Sequence, residues 1–150
     1  MPEWNAELKQ FMVHWFAGLF DGLSGLDPCA QEAVLGECGR ACARSYTARV
    51  FRETWQESAD LDAFLSRLAR HFPEARYERV GPRAVRVRYD RCACDLVRQG
   101  LVRSPLLCRC SAHNLEENFR QALGVPVTAT LESSILAGET ECVFVVSWAG

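Results

Sequence analysis

The spacing of apolar residues changes once along the chain, near Pro73, and this change constrains the fold more than any other feature. Before Pro73 the apolar residues recur at three- and four-residue steps, the period of a helix with a buried face. After Pro73 they recur mostly at every second position, the period of a half-buried strand. Helices and strands that are segregated in this way predict an α+β fold, in which helices cover an antiparallel sheet.

Three helices are predicted before Pro73, from capping residues and helix breakers. They run from about Glu3 to Phe20, from Asp27 onward, and from Ser58 or Asp60 to Pro73. The second start is the clearest, because Asp is a favoured N-cap and the Pro28 that follows suits the first helical position. Gly36 and Gly39 weaken that helix, which predicts close approach by a neighbouring element.

Strands and one further helix are predicted after Pro73. A hairpin is expected around Gly81–Pro82, and two final strands are expected to pair through Gly138. Between them, Asn114 and Glu117 form a capping box, which predicts a helix start at Asn114. The predicted architecture is N-terminal helices on a four-stranded antiparallel sheet, in the order ααα-ββ-α-ββ. It forms one domain over residues 1–150, with a helical part (1–73) and a sheet part with a cysteine-bearing loop (74–150).

Charge and hydropathy argue against two classes of partner. The net charge is -2, so the chain lacks the basic excess that nucleic-acid binding requires. The apolar segment from Phe11 to Phe20 contains His14 and is too short to span a bilayer. The first residues show no secretory leader. We therefore expect a cytoplasmic protein that binds neither nucleic acid nor membrane.

Eight cysteines are the most informative chemical feature of the chain. In a reducing compartment they favour metal binding or thiol chemistry over a disulfide framework. Cys92 and Cys94 end a predicted strand, and Cys108 and Cys110 precede the helix predicted at Asn114. If the loop between them folds back, four thiolates can hold zinc in a closed site, with an iron–sulfur cluster as an alternative. Disulfides and buried, unreactive thiols are the other interpretations.

Four further residues are candidates for the same site. Cys38 and Cys42 lie four residues apart, on one face of the second helix, and that face is predicted to point inward. His113 follows the second cysteine pair and can act as a ligand or proton carrier, although an exposed histidine at a helix start is commoner. Cys142 lies in an alternating strand, where core packing is favoured.

Several motifs resemble a known family. They are Glu37 to Arg44, then Cys-x-Cys, Leu-Cys-x-Cys-Ser, Leu-Gly-x-Pro-Val, Glu-Ser-Ser-Ile-Leu-x-Gly and Cys-x-Phe between Arg91 and Val145. These motifs resemble bacterial proteins of the aminothiazoline-carboxylate hydrolase-like family. Through Leu123–Val127, Gly138 and Cys142, the second half is also similar to the four-vinyl-reductase-type domain. The resemblance implies an α+β ligand-binding fold with a cysteine-lined site, in which Cys142 matches a zinc ligand of some vinyl-reductase-type sensors.

Two functions from different classes follow from these features. The first is a cytoplasmic, cysteine-rich domain that binds a small molecule and holds a metal through Cys92, Cys94, Cys108 and Cys110. The alternative is a hydrolase that cleaves a C–N bond in a small sulfur-containing heterocycle. A catalytic zinc keeps one open position, whereas four thiolates close the site, so binding is favoured. A homodimer is one option for the assembly.

Overall fold

A computed structural model describes residues 5–150, and it confirms the α+β fold, with helices followed by a four-stranded antiparallel sheet. The helices are α1 (Ala6–Ser24), α2 (Pro28–Ser45), α3 (Thr47–Gln56), α4 (Leu61–His71), α5 (Asp95–Arg98) and α6 (Leu107–Leu123). The strands are β1 (Ala75–Gly81), β2 (Ala84–Tyr89), β3 (Val127–Ser133) and β4 (Cys142–Trp148). The predicted helix start at Glu3 lies outside the described residues.

Side-chain caps fix the starts of three helices. The carboxylates of Asp27 and Asp60 accept hydrogen bonds from the amides of Ala30 and Ala63, and the cap at Asp27 is the one predicted for α2. Asn5 caps α1 in the same way. α1 differs from the prediction at its other end, because it continues past Phe20 to Ser24 despite two glycines.

The sheet has the order β1-β2-β4-β3, and both predicted hairpins are confirmed. β1 and β2 pair around the turn at Gly81, and β3 and β4 pair through a turn in which Gly138 has φ 99°. A positive φ of this size is the left-handed region that glycine occupies without strain. β4 lies between β3 and β2, with Val87 opposite Phe144.

One face of the sheet carries the main core, and α3, α4 and α6 cover it. Its buried side chains include Phe51, Phe64, Leu68, Val85, Val87, Phe119, Phe144 and Val146. The opposite face carries paired charges, among them Arg88 with Glu141 at 3.2 Å. A solvated face of this kind explains the alternation of apolar and charged residues in β2.

A second apolar cluster holds α1 against the rest of the molecule. Phe20 and Leu23 of α1 pack with Leu35 of α2 and with residues of the segment 101–107. Phe20 and Leu23 are the buried residues of α1, so this helix packs against the rest of the chain along one side only. No helix within residues 5–150 has both the length and the apolar character needed to cross a membrane.

Candidate functional site

The position of the second cysteine pair differs from the prediction. α6 begins at Leu107, well before Asn114, so Cys108 and Cys110 lie inside its first turns. Residues two positions apart on a helix point about 200° away from each other. The two thiols therefore face different surroundings and do not converge on one point.

Cys108 points toward the sheet, where it meets Cys142 at the start of β4. The Cys108 thiol lies 2.9 Å from the hydroxyl oxygen of Ser134, and the backbone amide of the next residue, Ile135, donates a hydrogen bond to the Cys142 sulfur at 3.4 Å. The two sulfur atoms are therefore held by consecutive residues and are close enough to affect each other's pKa. All three side chains are buried, with Cys108 4 %, Cys142 5 % and Ser134 3 % exposed. Cys108 and Cys142 are called the thiol pair below.

The interaction within the thiol pair separates the pKa values of its two members. The Cys108 side chain, helped by the Ile135 amide, lowers the pKa of Cys142 in spite of burial. The same interaction and burial raise the pKa of Cys108. The pair therefore favours a thiolate at Cys142 and a thiol at Cys108. Cys92 lies near both, and burial raises its pKa.

Cys110 lies on the other side of α6, with a different group of cysteines. Burial raises the pKa of Cys110 to about 12, and Cys38, Cys42 and Cys94 are close enough to contribute. Cys38 and Cys42 are exposed, so the prediction that their helix face points inward is wrong. α2 instead buries Leu35, Gly36, Gly39 and Ala43.

The described part of the chain contains no group of three or more His, Cys, Asp or Glu side chains that could hold a metal ion. The predicted function of a zinc-binding domain with Cys92, Cys94, Cys108 and Cys110 as joint ligands is therefore wrong. The reason is the helix start, because a loop lets both thiols of a Cys-x-Cys pair converge and a helix does not.

His113 serves to join two helices. Its Nδ1 atom lies 3.0 Å from a carboxylate oxygen of Glu116, and its Nε2 atom contacts Glu32 of α2. Arg109 bonds the same Glu32 carboxylate. This histidine is mostly buried and has a carboxylate at each ring nitrogen, unlike the exposed helix-start residue expected from the capping box.

Sequence reasoning missed Glu117, whose carboxylate is 2 % exposed. Arg120, Gln121 and Arg44 donate to it. These donors, Arg120 foremost, lower the pKa of Glu117 to about 2. In the sequence Glu117 is recognisable only as the end of a capping box, and its partner Arg44 lies too far away along the chain for any local motif to reveal it.

A groove of about 380 Å³ lies between α1 and the segment 100–104. Its walls are mainly apolar, and its rim carries Asp21, Ser24, Arg103 and Ser104. Val13, Phe16, Phe20, Leu101 and Val102 contribute the apolar lining. None of the described residues that line this groove is a cysteine.

Comparison of the sequence with family models gives no match, and comparison with curated proteins gives none either. Among solved structures, the fold is similar to subunit 3 of a trafficking protein particle complex from Naegleria fowleri, described as covalently bound to palmitic acid. The TM-score is 0.51, the sequence identity is 11 %, and the match covers 95 % of each chain. At this identity the likeness shows a shared fold.

This comparison also bears on the predicted activities. The protein that shares the fold is described as a trafficking-complex subunit and not as a hydrolase or a metal-binding protein. Both predicted functions, the small-molecule-binding domain with a metal site and the alternative hydrolase, are therefore wrong. The resemblance to the aminothiazoline-carboxylate hydrolase-like family stays a prediction.

Proposed function

We propose that this chain is a non-enzymatic assembly subunit, which pairs through α1 with a second copy of itself. The observation that carries this proposal is a row of exposed apolar side chains along α1. Leu8, Phe11, Trp15 and Leu19 are 43 %, 61 %, 55 % and 39 % exposed, and these four residues are called the α1 stripe.

The α1 stripe has the geometry of a helix-packing surface. Its members follow one another at steps of three and four residues, so they lie on one face of the helix. This face adjoins the one that Phe20 and Leu23 bury against the rest of the chain. Contiguous exposed apolar surface of a few hundred Å² marks an interaction site far more often than scattered leucines do.

The charges of α1 favour a protein partner over a lipid surface. Its charged residues are Glu7, Lys9 and Asp21, so acidic groups outnumber basic ones. Helices that lie on membranes carry Lys and Arg along their polar face, where they meet anionic headgroups. α1 lacks that pattern over its described length.

A second copy suits the α1 stripe because the stripe carries no charge. Two identical surfaces that meet about a two-fold axis place like residues near like residues. Charged residues would repel one another in this arrangement, whereas Leu, Phe and Trp pack and exclude water. The structural neighbour is itself described as a subunit of a complex, which supports the role of subunit.

The palmitate of that neighbour is not part of the proposal. A covalently attached acyl chain needs a nucleophilic side chain at its site, most often a cysteine thiolate. The described lining of the groove beside α1 offers the hydroxyls of Ser24 and Ser104 but no thiol.

The test is the mass of the protein in solution, measured by sedimentation or light scattering at micromolar concentration. We expect a dimer for the natural sequence and a monomer for the double variant Phe11→Glu/Trp15→Glu, because paired carboxylates cannot be buried in an apolar contact. Circular dichroism shows whether the variant keeps its fold.

The matched control is Gln10→Glu/His14→Glu, which puts the same two carboxylates on the polar side of α1, where both positions are exposed. This variant should stay dimeric. A monomeric natural protein, a dimeric Phe11→Glu/Trp15→Glu variant, or flotation of the natural protein with lipid vesicles would each overturn the proposal.

A further inference from the structure

We infer that Cys142 and Cys108 form a peroxide-reactive thiol pair, in which oxidation joins the first turn of α6 to the start of β4 through a disulfide. This site is independent of the α1 stripe. It lies beneath α6, where the β3–β4 turn returns to the sheet.

The sulfur atoms of Cys108 and Cys142 are held close together before any reaction. The Cys142 sulfur accepts a hydrogen bond from the Ile135 amide, and the Cys108 sulfur contacts Ser134, so two consecutive residues bring the atoms of the future S–S bond together. The Ser134 hydroxyl, 2.9 Å from Cys108, holds that thiol in place from its other side. A disulfide needs side chains that already approach each other, because large backbone movement is costly.

The two cysteines differ in their chemical roles. The Ile135 amide donates a hydrogen bond to the Cys142 sulfur and the Cys108 thiol lies beside it, which stabilises negative charge on Cys142. Cys142 therefore provides the nucleophile, because the thiolate and not the thiol attacks electrophiles. Cys108 keeps its proton and can donate it to the leaving oxygen.

The reaction with hydrogen peroxide balances without any further reagent. The Cys142 thiolate attacks one oxygen of peroxide; an S–O bond forms, the O–O bond breaks, and the departing hydroxide takes the Cys108 proton to become water. The resulting Cys108 thiolate attacks the Cys142 sulfenic acid; an S–S bond forms, the S–O bond breaks, and this hydroxide takes a proton from solvent. Two thiols are oxidised, and one peroxide is reduced to two waters.

Burial selects the oxidant. Both members of the pair are nearly inaccessible, so a bulky disulfide such as oxidised glutathione has no direct route to Cys142. Hydrogen peroxide is hardly larger than water and needs only a transient opening. The exposed cysteines Cys29, Cys38 and Cys42 are accessible to bulky and small oxidants alike.

The sequence makes the product easy to identify. Trypsin releases Cys108 in residues 104–109 and Cys142 in residues 121–150, and neither peptide contains another cysteine. A disulfide between these two peptides can therefore arise only from Cys108 and Cys142. The experiment treats the full chain with a small excess of hydrogen peroxide, blocks the remaining thiols, digests without reductant and measures peptide masses over time.

We expect the linked peptide to form at least ~10-fold faster with peroxide than with the same concentration of oxidised glutathione, as reactivity follows thiolate content and access. Cys29→Ser should leave its formation unchanged. In Cys108→Ser, Cys142 should stop at the sulfenic acid, which dimedone traps as a mass increase on residues 121–150.

Two results would overturn the inference. One is peroxide treatment that modifies Cys29, Cys38 or Cys42 while residues 104–109 and 121–150 stay unlinked in the natural protein. The other is equal rates with peroxide and glutathione disulfide. The first measurement needs no variant, so it holds even if a cysteine substitution disturbs folding.

Discussion

At the scale of single residues, the carboxylate of Glu117 is a buried charge whose hydrogen-bond donors are brought together by the fold. It is almost fully buried at the contact of α6 with α2, and its donors come from both helices. A buried carboxylate with several charged donors contributes to stability only while it is ionised.

We expect Glu117→Gln to lower the free energy of unfolding at pH 7 by about 2 kcal/mol, because the neutral amide loses the charge-assisted bonds to Arg120 and Arg44. The folded pKa of about 2 lies below the ordinary value of 4.5, so this contribution is complete above about pH 4.5. It fades as the pH falls from 4.5 toward 2. Chemical denaturation of both proteins between pH 7 and pH 2.5 measures the difference.

Glu132→Gln is the control for this prediction, since Glu132 pairs with Arg86 on the exposed face of the sheet at 3.4 Å. Its effect should stay within about 0.5 kcal/mol at every pH. A gap between Glu117→Gln and the natural protein that stays constant down to pH 2.5 would contradict the assigned role.

The same scale shows which residue roles a sequence can reveal. Asp27 caps its helix as predicted, because a cap bonds an amide three residues away. The role of Cys108 was predicted wrongly, because its neighbours Ser134 and Cys142 come from a distant part of the chain and no local spacing indicates them. Contacts between residues a few positions apart can therefore be predicted from the sequence, whereas contacts between distant segments cannot.

At the scale of elements, the contact between α2 and α6 depends on one glycine. A Cβ atom at Gly39 would lie 2.6 Å from the Cβ of His113 and 2.9 Å from the backbone nitrogen of Asn114, and it would meet the carbonyl of Cys110. This confirms the close approach that glycine in α2 predicts. Two of these three atoms belong to the backbone, which cannot rotate away as a side chain can.

We expect Gly39→Ala to destabilise the protein by about 2–3 kcal/mol, because the helices must separate to admit one methyl group. Gly18→Ala is the matched control, since nothing lies within 4 Å of a Cβ at Gly18. Alanine there should stabilise α1 by about 0.5–1 kcal/mol through its helix propensity. Thermal and urea unfolding compare the two; equal effects would show that α2 and α6 do not pack this closely.

The start of α6 shows where element prediction reaches its limit. Asn114 and Glu117 have the spacing of a capping box, yet they lie in the middle of the helix. The true start, after Leu106, has no side-chain cap, and packing of Leu107 and Cys108 into the interior fixes it. α3 was likewise not predicted, because its short apolar row is recognisable only once Phe51 is seen in the core.

At the scale of the whole molecule, pairing through the α1 stripe links stability to protein concentration. A dimer that dissociates on unfolding has a melting temperature that rises with concentration, by mass action. We expect the natural protein to melt several degrees higher after a 100-fold increase in concentration. The Phe11→Glu/Trp15→Glu variant should melt at one temperature throughout; scanning calorimetry over this range distinguishes the two, and a concentration-independent natural protein would contradict pairing.

The fold class was predictable because it follows from the period of apolar residues, which changes near Pro73 and is a property of whole segments. The metal site was predicted wrongly, because it depended on which cysteines meet, and that depends on a helix start that shifted by about two turns. In the sequence the α1 stripe is part of the apolar period before Pro73, which predicts helices with a buried face. The stripe is exposed because little of the rest of the chain packs against that face of α1.

The central position of β4 in the sheet has a consequence for how the molecule folds. β1 and β2 can form a hairpin early, and so can β3 and β4, because the strands of each pair follow each other directly along the chain. The β2–β4 ladder joins residues such as Tyr89 and Cys142, which are far apart in sequence, with α5 and α6 between them. Closing that long loop costs entropy before its contacts repay it, so we expect this ladder to form last and to limit the folding rate.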